Sequence, residues 1–156
     1  RPAGPPVRHR HKRAVVIIPH KDDPVRLDRC LAALLPTLPD EVAVAVVDNG
    51  SERDITDVLS RYPGVDLLHE PLAGAANARN RGVAETDAQL LLFLDADCLP
   101  DANWVETAIR AIWSRARFTS FTKPKACTVA HRRSNRCSPS TFAPTSRVMV
   151  LQAPVI

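Results

Sequence analysis

The apolar residues of this chain are grouped into short runs that contain no polar residue. Runs of this kind, when turn residues bound them, are typical of strands buried on both faces of a parallel sheet. The clearest runs cover residues 14–18, 42–47 and 90–94, and a weaker one covers residues 65–69. The pattern therefore predicts four strands, and we expect the first of them to end at Pro19.

Segments with helical periodicity lie between these runs. Leucines recur at helical spacing over residues 25–35, and prolines flank that segment. Ser51 and Asp54 resemble a capping box for a second helix. Residues 75–85 and the stretch after Pro100 predict two more helices. Strands that alternate with helices in this way argue for right-handed βαβ units, and hence for an α/β fold built on a parallel sheet.

Two aspartates follow the last of the apolar runs. The segment reads QLLLFLDADCLP, with Asp95 and Asp97 at the point where the strand is expected to end. In extended backbone, residues i and i+2 point the same way, so the two carboxylates would converge. Two carboxylates at such a short distance repel each other unless a proton or a cation lies between them. A site for Mg²⁺ or Mn²⁺ fits the oxygen ligands; two solvated loop residues are the alternative.

Polar residues also follow the other predicted strands. Pro19 opens the sequence PHKDD, Asp48 ends the second run, and the third run leads into a helix that carries Arg79. Ligands of such sheets bind beyond the carboxyl ends of the strands. The joint placement predicts a site for a metal, a sugar hydroxyl and a phosphate. Taken singly, Asp48 can be a turn former and Arg79 part of a solvated helix face.

Charge divides the chain into three parts. Six basic residues and no acidic residue precede Asp22, residues 22–113 hold all 17 acidic residues and seven basic ones, and the remainder holds eight basic residues and no acidic one. We expect a basic disordered arm over residues 1–13, one domain over residues 14–113, and a basic tail of doubtful structure over residues 114–156. We hypothesise that this tail is a translated frameshift or an unnatural terminus.

Composition limits the cellular setting. No segment has the roughly 20 apolar residues of a membrane span, and no secretory signal is visible. The four cysteines show no metal-binding spacing. We therefore expect a reduced, cytoplasmic protein. The basic flanks leave peripheral contact with the inner face of a membrane open.

Four segments together resemble the nucleotide-binding half of a family 2 glycosyltransferase with the Rossmann-like GT-A fold. They are VVIIPHKDDP, VAVVDNGS, GAANARNRGV and LLFLDADCLPDANWVE, and together with their spacing they cover residues 14–113. The resemblance implies a nucleotide-diphosphate sugar as donor, an acceptor of unknown identity, and Mg²⁺ or Mn²⁺ as cofactor. It implies further that this parallel-sheet half is incomplete at its C-terminal end.

The same resemblance implies roles for individual residues. The residues from Pro19 onward, which include Lys21 and Asp22, would line the base pocket, and Asp48 would accept a hydrogen bond from the base. Arg79 would help to fix the nucleotide, Asp95 would face the ribose or the metal, and Asp97 would be the principal ligand of the cation.

The sequence departs from the family pattern at two points. Lys21 stands where many members have an aromatic residue that stacks on the base, and no Asp or Glu follows Glu106. An inverting transfer needs a general base, and the sequence offers no candidate for it. A catalytically inactive nucleotide-binding α/β module therefore stays open as an alternative.

Two further classes of function are less favoured. An adaptor for nucleic acid or a membrane surface would use the basic flanks, but aromatic residues are only 4% of the chain and offer few stacking platforms. We therefore expect no nucleic-acid partner. A dinucleotide-dependent dehydrogenase is disfavoured because no G-x-G-x-x-G follows the first predicted strand.

Overall fold

The computed structural model describes residues 12–115 and 150–152. The basic arm expected over residues 1–13 and the basic tail expected over residues 114–156 lie almost wholly outside the described residues, and so do Cys127 and Cys137. Within the described part of the chain, no helix is long and apolar enough to cross a membrane.

Strands and helices alternate along the described chain, as the apolar pattern predicts. The elements are β1 (Ala14–His20), α1 (Pro24–Leu34), a 3₁₀ turn (Leu35–Thr37), β2 (Val42–Asp48), α2 (Thr56–Leu59), β3 (Val65–His69), α3 (Ala75–Ala84), β4 (Leu90–Phe93), α4 (Trp104–Arg115) and β5 (Val150–Gln152). The sheet has the order β3-β2-β1-β4-β5, and every neighbouring pair is parallel. The predicted α/β fold with a parallel sheet is confirmed.

Strand β1 lies in the centre of the sheet and feeds two cores. Val16 and Ile18 face a core completed by α1, α2 and α4, whereas Val15 and Ile17 face a smaller core completed by α3. All four of these side chains are fully buried. Because both faces of the sheet are covered, the strand has no position for a polar side chain until it reaches its carboxyl end.

Pro19 does not end β1, contrary to the sequence-based expectation, because the strand continues to His20. Ile17 accepts a hydrogen bond from the backbone N–H of Leu94, so it faces β4. Pro19, two residues later, faces the same side, where β4 has already ended at Phe93. The N–H that proline lacks is therefore not needed for the sheet.

Helix α3 lies unusually close to β1. A Cβ atom placed on Gly82 would come within 2.6 Å of Cγ2 of Ile17, so only glycine fits at this point of the helix. The close contact brings the first turn of α3 to the carboxyl end of the sheet, beside the loops that follow β2 and β4.

Candidate functional site

A cavity of about 420 Å³ opens at the carboxyl end of the sheet. The loops after β1, β2 and β4 and the first residues of α3 form its walls. Four residues that the sequence predicts as site residues line it, namely Pro19, Lys21, Asp95 and Asp97. The other three, Asp22, Asp48 and Arg79, do not line it, but each contacts a loop or a residue that does.

Asp95 and Asp97 lie in a turn rather than on extended backbone. Strand β4 ends at Phe93, and the backbone N–H of Cys98 donates to the carbonyl of Asp95 at 3.0 Å. The geometric premise of the sequence argument, an extended i and i+2 pair, is therefore wrong. Asp95 is half-buried and Asp97 is exposed, yet both line the cavity.

The two aspartates differ in their partners. Nη2 of Arg79 lies 2.5 Å from Oδ1 of Asp95, and the two side chains are 16% and 31% exposed. Among the described residues, Asp97 has no ion pair, and its only side-chain hydrogen bond is a weak one from the thiol of Cys98 at 3.8 Å. Asp97 is therefore the carboxylate available to a cation in this cavity, while Asp95 is tethered to α3.

The carboxylates of Asp95 and Asp97 suit a hard divalent cation only if a bound ligand also coordinates that cation. Within the described part of the chain, no group of three or more His, Cys, Asp or Glu residues could hold a metal ion. Magnesium and similar ions are commonly held by one or two carboxylates, with phosphate oxygens and water in the other positions. Asp97 and Asp95 fit a site of this shared kind.

Asp48 lies at the centre of a buried polar cluster. The hydroxyl of Ser51 donates to its Oδ1, and the Ser51 N–H approaches its Oδ2 at 3.4 Å. Nδ1 of His20 lies 3.5 Å from Oδ1, and Nδ1 of His69 lies 3.6 Å from Oδ2. These groups surround the Asp48 carboxylate at the carboxyl end of β2 and fix its position.

Ser51 therefore belongs to the site and does not cap α2. Its Oγ accepts a hydrogen bond from the N–H of Asp22 at 2.9 Å, in addition to the one it donates to Asp48. The backbone N–H at the start of α2 is satisfied instead by Asp54, whose Oδ1 accepts from Thr56 at 2.8 Å. The predicted capping box is wrong because the long-range partners of Ser51 replace the local one.

The loop after β1 is held to the loop after β2 by Asp22. This residue has a φ of +54°, and its Oδ1 accepts from the N–H groups of Glu52 and Arg53 at 2.6 and 3.4 Å. Asp is one of the few residues besides glycine that tolerate this left-handed conformation. The carboxylate of Asp22 thus turns away from the cavity, whereas Lys21 is exposed and lines it.

Asn49 joins the loop after β2 to the loop before α3. Its Nδ2 donates to the carbonyls of Glu70 and Leu72 at 3.0 and 2.7 Å, and its Oδ1 accepts from the N–H of Gly74 at 2.7 Å. All three side-chain bonds are buried or partly buried, and they fix the residues that open α3. An aspartate could not donate either of the first two bonds.

Sequence reasoning gave no individual role to His20 or Asn49. Both are buried polar residues that line the cavity. The signal was available, since each stands beside a strand-ending residue that the sequence did single out, Pro19 and Asp48. Their partners, however, depend on strand register and loop position, which no local pattern shows.

Two thiols lie behind the Asp95–Asp97 turn. Burial raises the pKa of the Cys30 thiol to about 12, and Cys98, Asp97 and Asp95 act in the same direction. Burial also raises the pKa of Cys98, with Asp97 and Asp95 again adding to the effect. Both thiols are therefore neutral at ordinary pH, which excludes them as activated nucleophiles.

Comparison with known proteins decides the family. The model of glycosyl transferase family 2 matches residues 15–138. The chain belongs to this family. The match extends past residue 113, where the resemblance seen in the sequence ended, and includes part of the basic tail.

Curated members of the family are similar over most of the described region. The glycosyltransferase AglE of Haloferax volcanii is 33% identical over an alignment of 104 residues, and the alignment covers 62% of this chain and 34% of that protein. The pre-mycofactocin glycosyltransferase of Mycobacterium tuberculosis is 31% identical over an alignment of 108 residues, which covers 67% of this chain and 22% of that protein. This chain thus matches about a fifth to a third of the length of these family members.

Solved structures show the same fold. TarS of S. aureus (residues 1–349) superimposes with a TM-score of 0.60 at 20% identity, over 67% of this chain and 33% of that one. The mannosyltransferase PcManGT of Pyrobaculum calidifontis, in complex with GDP-Man and Mn²⁺, gives 0.57 at 23% identity, over 63% and 31%. Glucosyl-3-phosphoglycerate synthase of Mycobacterium tuberculosis, with Mn²⁺ and UDP-glucose, gives 0.56 at 19% identity, over 65% and 39%. The family 2 chain therefore has the GT-A fold expected from its sequence.

Proposed function

We propose that this chain is the donor-binding part of a glycosyltransferase, which binds a nucleotide-diphosphate sugar together with Mg²⁺ or Mn²⁺. The observation that carries the proposal is the cavity in which Asp95 and Asp97 meet Lys21 and the first turn of α3. The cavity lies at the carboxyl end of a parallel sheet, where ligands of such folds bind. Family membership supports a sugar nucleotide as that ligand.

In this proposal the diphosphate lies over the turn that follows β4. Asp97 holds the cation because it is exposed and lacks an ion pair among the described residues. Asp95 is oriented by Arg79, whose charge also offsets the repulsion between the two aspartates. A bound cation supplies Lewis-acid stabilisation of the charge that develops on the leaving diphosphate.

The nucleoside lies towards the loops after β1 and β2. Pro19 and Lys21 form the wall of the base pocket, with the aliphatic part of Lys21 in the place of an aromatic ring. Asp22 contributes indirectly, by holding the two loops together. Asp48 accepts a hydrogen bond from the base through Oδ2, the carboxylate oxygen that the Ser51 hydroxyl does not contact. PcManGT and the M. tuberculosis synthase are described with GDP-Man and UDP-glucose respectively, which makes uracil and guanine the bases to test.

Titration calorimetry with UDP-glucose and GDP-mannose tests the proposal on the full chain. We expect binding in Mn²⁺ that EDTA abolishes, and a loss of at least tenfold in affinity for Asp97→Asn. Asp101→Asn is the matched control, because it makes the same change at an exposed aspartate a few residues further along the same loop. Binding that ignores both EDTA and Asp97→Asn contradicts the proposal.

A second candidate is a catalytically inactive module that binds the nucleotide without transfer. Residues 107–156 contain no Asp or Glu, so this part of the chain offers no carboxylate as the proton acceptor that the transfer needs. Slow hydrolysis of UDP-glucose, in which water takes the place of the acceptor and UDP is released, distinguishes the enzyme from the inactive module. Release above the uncatalysed rate that Asp97→Asn abolishes supports the enzyme, whereas tight binding without release supports the inactive module.

A further inference from the structure

We propose that His20 is a positioning residue for base recognition: its imidazole holds the Asp48 carboxylate in the orientation that reads the edge of the base. The inference rests on the proposed function, in which Asp48 accepts a hydrogen bond from the base. The sequence placed His20 only within the segment that follows Pro19, and its role follows from burial, register and hydrogen bonds.

His20 is a polar residue at a fully buried position. It is the last residue of β1, its side chain is 0% exposed, and it pairs in register with Asp48, the last residue of β2. A buried imidazole is unfavourable unless its nitrogens have partners. At the carboxyl end of the sheet, those partners belong to the loops that form the cavity.

The hydrogen bonds of His20 define its tautomer. The backbone N–H of Asp23 donates to Nε2 at 3.2 Å, so Nε2 carries the lone pair and Nδ1 carries the proton. Nδ1 lies 3.4 Å from Oγ of Ser51 and 3.5 Å from Oδ1 of Asp48. Asp23 in turn caps α1 through a bond from the N–H of Arg26 at 3.0 Å. The imidazole therefore connects the start of α1 to the Ser51 hydroxyl, which in turn donates to Oδ1 of Asp48.

The arrangement divides the two oxygens of Asp48 between different tasks. Oδ1 is held by the Ser51 hydroxyl and faces His20. Oδ2 has longer approaches, 3.4 Å from the Ser51 N–H and 3.6 Å from the imidazole of His69, which is 70% exposed. Oδ2 is thus the oxygen left to accept a hydrogen bond from a ligand.

A fixed carboxylate acceptor selects among bases by their chemistry. Uracil at N3 and guanine at N1 carry a ring N–H that can donate to Asp48. Cytosine and adenine have a lone pair at the corresponding ring nitrogen, which a carboxylate oxygen repels. We therefore expect this chain to prefer UDP to CDP, and we expect the preference to depend on His20.

Two substitutions separate the two nitrogens of His20. The amide nitrogen of Asn lies near the position of Nδ1, so His20→Asn keeps a donor towards Asp48. The amide oxygen of Gln can reach the position of Nε2, so His20→Gln keeps an acceptor for the Asp23 N–H and loses that donor. We expect His20→Asn to keep the ratio of UDP to CDP affinity and His20→Gln to lower it by up to about tenfold, the effect of losing one hydrogen bond in the chain from His20 through Ser51 to Asp48.

The ratio is measured by calorimetry within each full-length variant in Mn²⁺, so it does not depend on how much of that variant is folded. The variant Asp48→Asn distinguishes the proposed role of Asp48 from the proposed role of His20. If Asp48→Asn leaves the ratio unchanged, or the unmodified chain binds no UDP, the proposed role of Asp48 fails and the inference fails with it. If Asp48→Asn removes the preference and His20→Gln keeps it, the inference alone is overturned.

A measurement on the unmodified chain keeps the inference testable should His20→Gln fail to fold. Long-range ¹H–¹⁵N spectra distinguish the two neutral imidazole tautomers, and the His20 signals are assigned by their absence in His20→Asn. We expect the Nδ1–H tautomer, with Nδ1 shifted when UDP binds and not shifted when CDP is added. The Nε2–H tautomer, or equal shifts with both nucleotides, contradicts the positioning role.

Discussion

Arg79 and Asp95 form an ion pair across the candidate site, with 2.5 Å between Nη2 and Oδ1. Arg79 belongs to α3 and Asp95 follows β4, so the pair joins two walls of the cavity. The two side chains are 16% and 31% exposed, which shields them from water better than an ordinary surface pair. The pair therefore connects α3 to the turn after β4, and the charge of Arg79 offsets one of the two negative charges of that turn.

The first prediction concerns the strength of this pair. In a double-mutant cycle with Arg79→Met and Asp95→Asn, we expect a coupling energy of about 0.5–3 kcal/mol in the free energy of unfolding. Urea denaturation without divalent cations gives the four values. Arg79→Met alone also leaves the negative charges of Asp95 and Asp97 without the positive charge of Arg79. We therefore expect Mn²⁺ to raise the Tm of Arg79→Met more than that of the unmodified chain.

The pair between Arg110 and Glu106 is the matched control for this cycle. Its Nη2–Oε1 distance is 2.6 Å, close to that of the first pair, but its side chains are 78% and 63% exposed. Exposed pairs of this spacing on a helix contribute about 0.3–0.5 kcal/mol. Equal coupling energies in the two cycles would mean that burial is not what distinguishes the Arg79–Asp95 pair.

The second prediction concerns Asn49. Asn49→Asp keeps the shape of the side chain but removes both donors, so the carbonyls of Glu70 and Leu72 would face a carboxylate. We expect the free energy of unfolding to fall by about 1–3 kcal/mol, with faster amide exchange at Gly74, whose N–H bonds to Asn49. Asn80→Asp makes the same change at an exposed position of α3 and should leave both quantities nearly unchanged.

The strands could be predicted from the sequence because burial on both faces leaves a local trace. Every residue of β2 is buried, and this produces the uninterrupted run that the sequence shows. The bounds predicted for Val65–His69 match β3 without change. Asp95 and Asp97 could also be placed in one cavity, since the carboxyl ends of parallel strands lie at one edge of the sheet.

The internal contacts of the site could not be predicted, because they join residues that are distant in sequence. Ser51 bonds to Asp22, 29 positions away, and this contact overrides the local capping pattern. His20 meets Asp48 only because β1 and β2 pair in that register. The extended geometry expected for Asp95 and Asp97 failed for a related reason, since an apolar run shows that a strand exists but not where its backbone turns.

The third prediction concerns the contact between α3 and β1. Alanine normally stabilises a helix interior by about 1 kcal/mol relative to glycine, but a Cβ on Gly82 would meet Cγ2 of Ile17 at 2.6 Å. Overfilling of this kind costs about 1–3 kcal/mol, so we expect Gly82→Ala to destabilise the fold in urea. Gly64→Ala, which has no atom within 4 Å of the added Cβ, is the control. The destabilisation by Gly82→Ala should be smaller in an Ile17→Ala background, because alanine lacks the Cγ2 atom that the new Cβ would meet. Ile17→Val is not suitable for this test, since valine keeps Cγ2.

The fourth prediction is a pH dependence that originates in Cys30. Burial raises the pKa of this thiol from 9.0 to about 12 in the folded chain, so the folded state favours the neutral thiol. The resulting stability is fully present below pH 9 and is lost as the pH rises from 9 towards 12, by at most about 1.4 kcal/mol per pH unit. Cys30→Ser cannot ionise in this range, and its hydroxyl can still donate to the carbonyl of Asp95, which the thiol contacts at 3.9 Å. We therefore expect the unfolding free energy of the unmodified chain, minus that of Cys30→Ser, to be constant from pH 7 to 8.5 and to decrease above pH 9. A difference that stays constant up to pH 10.5 would show that the thiol ionises equally readily in the folded and unfolded chains.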